Sequence, residues 1–274
     1  MVLRTMPIIQ NENGLALFLA RDTVFAGPVQ GVESLLSDNE LHVVTSAQKF
    51  PIGSMIYDIG ADAVYRYVEF GGVTKAGDMV QSEGPDAAHD DLNPTGTGTG
   101  AGVAKGDTLI SLSDTITLVA DEYASGFMKI EADAGVGYRY PIDSHDAPAS
   151  NSLFTLRPPG LAVALSSASD VALVKSRYKE VIIMPTTLTG HVLGASLGIG
   201  ADGSFGWVQT RGPASVLTNG TLIIGRPVVA GETTAGSVDT KPDGAAVTDD
   251  RSDLGEVMDV GPTTQQSLIF LNRE

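Results

Sequence analysis

The sequence predicts an all-β protein of several short-stranded antiparallel sheets or small barrels, with long glycine-rich loops and few short helices. Short runs rich in Val, Ile, Thr, Tyr and Phe recur between Gly, Pro, Asn and Asp, which is the pattern of strands separated by turns. Glycine makes up 32 of the 274 residues and charged residues only 18%. That composition suits strands and turns better than surface helices rich in Lys and Glu.

Strands are predicted along most of the chain, and several runs alternate with period two, which sends successive side chains to opposite faces. The run Val64–Phe70, for example, places two tyrosines and a glutamate on one face and three apolar residues with an arginine on the other. Both faces are therefore expected to have neighbours. The predicted strand runs are 15–27, 41–47, 53–60, 64–72, 107–120, 127–135, 138–143, 180–190, 205–217, 221–231, 254–261 and 267–272.

Helical signals are scarce. The best candidates are 28–40 and 164–181, where small and apolar residues fall near helical spacing. We therefore expect few, short helices.

Composition also predicts a domain layout of an N-terminal β region (1–83), a linker or loop (84–106) and a C-terminal β region (107–274). The two β regions are either separate or one interleaved domain. The stretch 82–107 is rich in Gly, Pro and Asp with almost no apolar residue, so we expect it to become ordered only against a partner.

Charge and cysteine content exclude several classes of protein. The net charge of −16 argues against nucleic acid as a direct partner, because phosphate binding needs a basic face. The chain has 0 Cys, which excludes disulfides and thiolate chemistry. No apolar run is long enough to cross a bilayer, and the first residues lack the sections of a secretory signal. We expect no membrane partner and synthesis in a cytoplasm.

No catalytic motif emerges. The glycine-rich segment 96–102 lacks the preceding strand and following helix of a phosphate-binding loop. The four histidines stand singly; His89 and His145 lie next to acids in apparent loops, where solvated carboxylates are usual. No serine lies in a nucleophile elbow. The sequence predicts no enzyme, no cofactor and no metal ligand, with a structural cation beside either histidine left open.

Trp207, the single tryptophan, lies in an alternating run that places it with Phe205 and Gln209 on one face. The large area that an aromatic buries favours an anchor in the core or at a subunit interface over a sugar-stacking platform. The Gly212-Pro213 pair is predicted to end this strand with a turn.

Three segments carry a resemblance to a known group of proteins. They are GSFGWVQTRGPASVL with NGTLIIGRPVVAG (within 203–231), residues 104–145 with the turn EYASG and the steps GVGY and YPI, and FPIGSMIYDIGADAVYRYVEFGGVTKAGDMVQ (50–81). These segments resemble structural proteins of tailed bacteriophages, of the capsid decoration (cement) type. The resemblance rests on strand-and-turn patterns and covers these segments only.

The resemblance implies a virion protein that decorates the capsid exterior and staples neighbouring subunits of the major capsid protein. It implies a homotrimer as well. In this interpretation Phe205, Trp207, Phe127 and Tyr138 anchor the core or an interface, and a loop carrying Asp90 and Asp91 contacts the shell.

Two other classes remain open. A tail, baseplate or fibre protein would share the same β-rich modules. A carbohydrate-binding or carbohydrate-active β protein would use Trp207, Tyr65, Tyr67 and Tyr138 as its aromatic platform.

Overall fold

A computed structural model describes residues 15–18, 38–58, 60–95, 103–113, 118–147, 151–242, 251–262 and 265–274. In these residues the predicted all-β class is confirmed: the chain forms 17 strands, labelled β1 to β17, in two curled antiparallel sheets. Helical structure in the described part is limited to α1 (Asp38–Leu41) and a 3-10 turn (Ala87–His89).

The strands fall into two compact units, and the second is inserted into the first. The first unit comprises 1–83 and 177–274, and the second comprises 84–176. The chain is therefore divided differently from the predicted layout. Residues 84–106 do not act as a linker, since Leu92 and Val103 are buried in the core of the second unit. The predicted C-terminal region is split after Ser176.

The sheet of the first unit runs β1-β2-β3-β13-β17-β16-β14-β15, and β12 and β4 extend it beside β13, with β11 pairing β4. Its strands are β1 Leu15–Phe18, β2 Met55–Asp58, β3 Ala63–Phe70, β4 Met79–Gln81, β11 Ile182–Ile183, β12 Val192–Ser196, β13 Ser204–Leu217, β14 Pro227–Ala230, β15 Val238–Thr240, β16 Gly255–Asp259 and β17 Gln266–Asn272.

The pair β3–β13 is covered on both faces. On one face Tyr67 and Trp207 belong to a core cluster, and on the other Val68 and Val208 belong to a second cluster. Tyr67 lies opposite Trp207 in the antiparallel register, as Val68 lies opposite Gly206. Alternation thus assigned these residues to the correct faces.

Strand β13 is longer than predicted because it changes partner instead of ending. Its first half pairs with β3 and its second half, from Arg211 to Leu217, pairs with β17. Gly212 lies at this change with φ +90, and a Cβ there would lie 2.8 Å from the Cα of Ala63. The prediction that Gly212-Pro213 ends the strand was wrong: the glycine provides a left-handed bend within it.

The second unit is a six-stranded sheet in the order β10-β7-β8-β9-β6-β5. Leu92, just before β5, exchanges backbone hydrogen bonds of 3.0 and 2.8 Å with Val171 of β10. These bonds join the first and last strands, so the sheet closes around its own core. The strands are β5 Asn93–Pro94, β6 Leu109–Ser113, β7 Phe127–Ala132, β8 Arg139–His145, β9 Ser152–Leu156 and β10 Asp170–Val174.

Three further predictions need correction. Residues 41–47 form no strand, because Leu41 ends α1 and only Thr45 makes an isolated β-bridge, to Phe205. Residues 164–181 form no helix. Val171 and Leu173 are both buried in the core from β10, and this i, i+2 spacing is that of a strand. The small residues around them fit helical spacing as well and concealed the strand pattern. In 221–231 the strand begins only at Pro227, because Ile223 and Ile224 are exposed at a turn. The helix predicted at 28–40 is helical from Asp38, and 28–37 lie outside the described residues.

Candidate functional site: an aromatic cluster, an outward hairpin face and an acidic turn

The predicted site residues lie in both units. Phe205 and Trp207 belong to the first unit, whereas Phe127, Tyr138 and the acidic turn belong to the second.

Trp207 lies in an aromatic cluster beneath the sheet of the first unit. Its ring centroid is 5.1 Å from that of Tyr67 and 5.4 Å from that of Phe50. Phe205 is half-buried and stacks on Tyr67 at 6.3 Å. Trp207 is 4% exposed and Tyr67 is 2% exposed. Neither ring offers a free face to a ligand, so this cluster acts as a structural anchor of the first unit.

The space beside this cluster is small. A cavity of 100 Å³, lined by Phe50, Tyr67 and Trp207, would hold only about three waters. A groove of 610 Å³ lies on another part of the first unit, lined by Tyr65, His42, Asp58 and Gln209 among others. The larger space has the size of a small-ligand pocket and mixes one aromatic with several polar groups.

The β7–β8 hairpin carries a second group of exposed or half-buried side chains, here called the hairpin face and defined by Phe127, Val136, Tyr138 and Arg139. Phe127 and Arg139 lie on the outer side of the hairpin, whereas Tyr138 lies near the tip on the side of Tyr140. The guanidinium carbon of Arg139 lies 4.6 Å from the Phe127 ring centroid. Tyr138 is 46% exposed and stacks on Tyr140 at 6.2 Å. Val136 is 59% exposed. Apolar groups held outward on a rigid hairpin are typical of contact surfaces.

The turn between β7 and β8 holds these side chains at the surface. Gly135 and Gly137 adopt φ +88 and +85 and reverse the chain at the tip. Inward-facing Met128 and Ile130 are fully buried on the same strand, so the hairpin is fixed from within. The outward residues thus contribute little to the core.

The acidic turn comprises Asp86, Asp90 and Asp91, all exposed. Asp86 Oδ1 accepts a hydrogen bond of 2.9 Å from the backbone N–H of Ala88 and so starts the 3-10 turn. Asp91 has φ +56, a conformation that Asp tolerates better than most residues. Partial desolvation and the nearby Glu131 carboxylate raise the pKa of Asp90.

A buried polar network connects the acidic turn to the core of the second unit. His89, 4% exposed, forms a short hydrogen bond through Nδ1 to the hydroxyl of Tyr123. The backbone N–H of Tyr123 donates to His145 Nε2 at 2.9 Å, and His145 stacks on Phe154 at 4.7 Å. Both histidines singled out in the sequence therefore meet at Tyr123, which sequence spacing alone gave no reason to expect.

In the ranges that the structure describes, no group of three or more His, Asp or Glu side chains is arranged to hold a metal ion. No described helix has the length and apolar character needed to cross a membrane.

The chain was compared with protein-family models, with curated proteins and with solved structures, and none of the three comparisons gives a match.

Proposed function

We propose that this protein is a structural component of a tailed-phage virion that decorates the capsid exterior and staples neighbouring major capsid protein subunits. In this proposal it has no catalytic activity and no cofactor, and it acts as a homotrimer. The tail, baseplate or fibre role is the alternative within the virion.

The hairpin face is the observation that carries the proposal. It belongs to residues 104–145, one of the segments that resemble phage decoration proteins. Val136 and Tyr138 are exposed near the tip of this hairpin, whose residues Met128 and Ile130 are buried. Docking these side chains against a shell would remove apolar area from water without disturbing the fold.

The mechanism is mechanical. A decorating subunit that contacts two capsid subunits stabilises only the assembled state, because each contact adds free energy where both partners are present. Several copies on one shell then resist internal pressure together. The net charge of −16 keeps free subunits soluble and discourages contact with packaged DNA.

The acidic turn supplies a polar rim for the same contact. Asp90 and Asp91 are exposed, and the turn is held by the His89–Tyr123 hydrogen bond. A carboxylate pair on a rigid turn fits basic side chains of a shell.

The experiment is sedimentation of purified protein with capsids of the encoding phage that lack it. Wild-type protein is expected to co-sediment saturably, and Tyr138→Ser is expected to weaken binding at least about tenfold. Ile199→Ser, at an exposed residue of the first unit, is the matched control and should bind normally. Failure of folded wild-type protein to bind shells would contradict the proposal, and labelling of tails instead of heads would favour the alternative.

Carbohydrate binding is the second candidate, and the 610 Å³ groove with Tyr65 favours it. The buried Trp207 and Tyr67 are poorly placed for sugar stacking, so Tyr65 would carry the interaction. Loss of glycan binding on Tyr65→Ala, with shell binding unchanged, would support this function.

A further inference from the structure

Three arginines and a histidine converge in the first unit of this acidic chain: Arg66, Arg177, Arg273 and His191. The guanidinium carbons of Arg177 and Arg66 lie 4.7 and 5.5 Å from the ring centroid of Tyr178. Arg177 Nη1 lies 3.5 Å from His191 Nε2. Arg273 donates to the carbonyl of Val192, the residue after His191, at 3.3 Å.

The fold brings together residues that lie far apart in sequence. Arg66 comes from β3, His191 immediately precedes β12, and Arg273 immediately follows β17. Arg177 and Tyr178 lie on the segment that leads to β11.

The acidic side chain that bonds within this cluster is Glu274. Glu274 accepts two hydrogen bonds from Arg66, at 2.9 and 2.7 Å. Arg273 is held by backbone carbonyls, those of Val192 and Asp253. Arg177 donates to the Tyr178 hydroxyl and approaches His191. Of these three guanidiniums, Arg66 bonds a carboxylate, whereas Arg177 and Arg273 bond uncharged groups.

The electrostatics agree with this geometry. Partial burial, with Arg177 and then Arg273 nearby, lowers the pKa of His191. Burial and the charge of Arg177 also lower the pKa of Arg273. Both shifts reflect burial and nearby positive charge, and because the arginines stay protonated, the potential at His191 is positive. Arg177 and His191 are exposed and accessible to such an anion.

We propose that Arg177, His191 and Arg273 form an oxyanion-binding site for a carboxylate or phosphate group, with the Arg66–Glu274 pair as its fixed wall. The planar guanidinium matches either oxyanion through paired hydrogen bonds. The bound anion would relieve the repulsion between the cations and permit His191 to become protonated. This site does not depend on a role in a virion.

The test is an NMR titration of the His191 ring in the full-length protein at constant ionic strength, with inorganic phosphate in one arm and a hexaglutamate peptide in the other. Chloride is the reference anion. At least one probe should saturate the site and raise the pKa of His191, and binding should tighten as pH falls. The arm with the larger response identifies the source of the oxyanion.

Arg177→Gln is expected to weaken binding at least about tenfold, since it removes a charged hydrogen-bond donor from the site. Arg139→Gln is the matched control, because Arg139 is also an exposed arginine over an aromatic ring. It should bind as the wild type does, and circular dichroism should show both variants folded. The proposal is overturned if neither probe shifts His191, or if folded Arg177→Gln responds like the wild type.

Discussion

The strand pairs β3–β13 and β7–β8 have similar alternating sequences, but they differ in how far their aromatic residues are buried. In the first pair Tyr67 is 2% exposed, whereas in the hairpin of the second pair Tyr138 is 46% exposed. Alternation decides which face a residue occupies. It does not decide whether that face is covered.

The residues that pack over a strand face are distant from that strand in sequence. Leu41 and Phe50 pack over the Trp207 face of β3–β13, and Val181 and Leu193 pack over the opposite face. The β7–β8 pair has a buried inner face, while Phe127 and Arg139 cover each other on its outer face. An aromatic residue in the first pair therefore stabilises the fold, and one in the hairpin remains available for a partner.

The largest effect is expected at Trp207. Trp207→Ala should lower the free energy of unfolding of the first unit by about 3–5 kcal/mol, because it removes a ring packed between Tyr67 and Phe50. Urea denaturation followed by circular dichroism measures this, since the variant has no tryptophan to report fluorescence. Trp207→Phe, which keeps an aromatic ring, should cost less than half as much. Unchanged stability in Trp207→Ala would contradict two-sided burial.

Gly212 tests the change of partner within β13. Gly212→Ala should cost about 2–3 kcal/mol, because the residue has φ +90 and its Cβ would approach the Ala63 Cα to 2.8 Å. Gly203→Ala is the control, since Gly203 has φ +68 and open space around the Cβ position. Gly203→Ala should lower the free energy of unfolding by about 1 kcal/mol, through the positive φ alone. Equal losses in urea denaturation would mean that the close approach is not important.

The third test is the dependence of stability on acid pH. At Arg66, β3 is covered by an ion pair with Glu274 and not by apolar side chains, so this contact depends on the ionisation of Glu274. Burial alone would raise the pKa of Glu274, but hydrogen bonds from Arg66 and Thr210 outweigh it and lower the pKa. A depressed pKa stabilises the fold above the unfolded pKa, and this is lost as pH falls through the folded value. Glu274→Gln should lose about 1 kcal/mol at pH 7 and show a shallower acid dependence below pH about 4.5.

The control for this effect lies in the second unit. Glu131 pairs with Lys129 on the outer face of β7, and the hydrogen bond from Lys129 lowers the pKa of Glu131, but solvent screens this pair because both residues are exposed. Glu131→Gln should leave both stability and its pH dependence nearly unchanged. An acid dependence that becomes shallower in Glu131→Gln and stays like the wild type in Glu274→Gln would contradict this account.

The smallest effect on folding is expected at Tyr138. Tyr138→Ser should change the free energy of unfolding by no more than about 0.5 kcal/mol, because the ring is exposed and contacts mainly Tyr140. The same urea series measures it. A loss comparable to that of Trp207→Ala would show that the hairpin face is part of the core.

Local patterns in the sequence were sufficient to predict the all-β class and most strand positions. The signal of a strand is a run of β-branched and aromatic residues between turn residues, and this signal is contained in residues adjacent in sequence. They failed where a small residue fits two structures, as in 164–181, and where a single apolar residue reaches a core. Leu92 and Val103 are the apolar residues that make 84–106 part of the second unit, and a polar composition concealed them.

The candidate sites divide in the same way. Trp207 and Phe205 were assigned to one face correctly because alternation is local. The meeting of His89 and His145 at Tyr123 was not predicted, nor was the meeting of Arg177 with His191. Both depend on long-range strand order, which no short motif encodes.

The most direct test of the central claim is the resistance of phage capsids to heat and osmotic shock with and without this protein. Particles that lack it should assemble but fail at lower temperature or under milder shock, and purified wild-type protein should restore them. Tyr138→Ser protein, although folded, should restore them poorly, and Ile199→Ser protein should restore them fully. Depleted particles as resistant as wild-type particles would contradict the proposed role in stapling the shell.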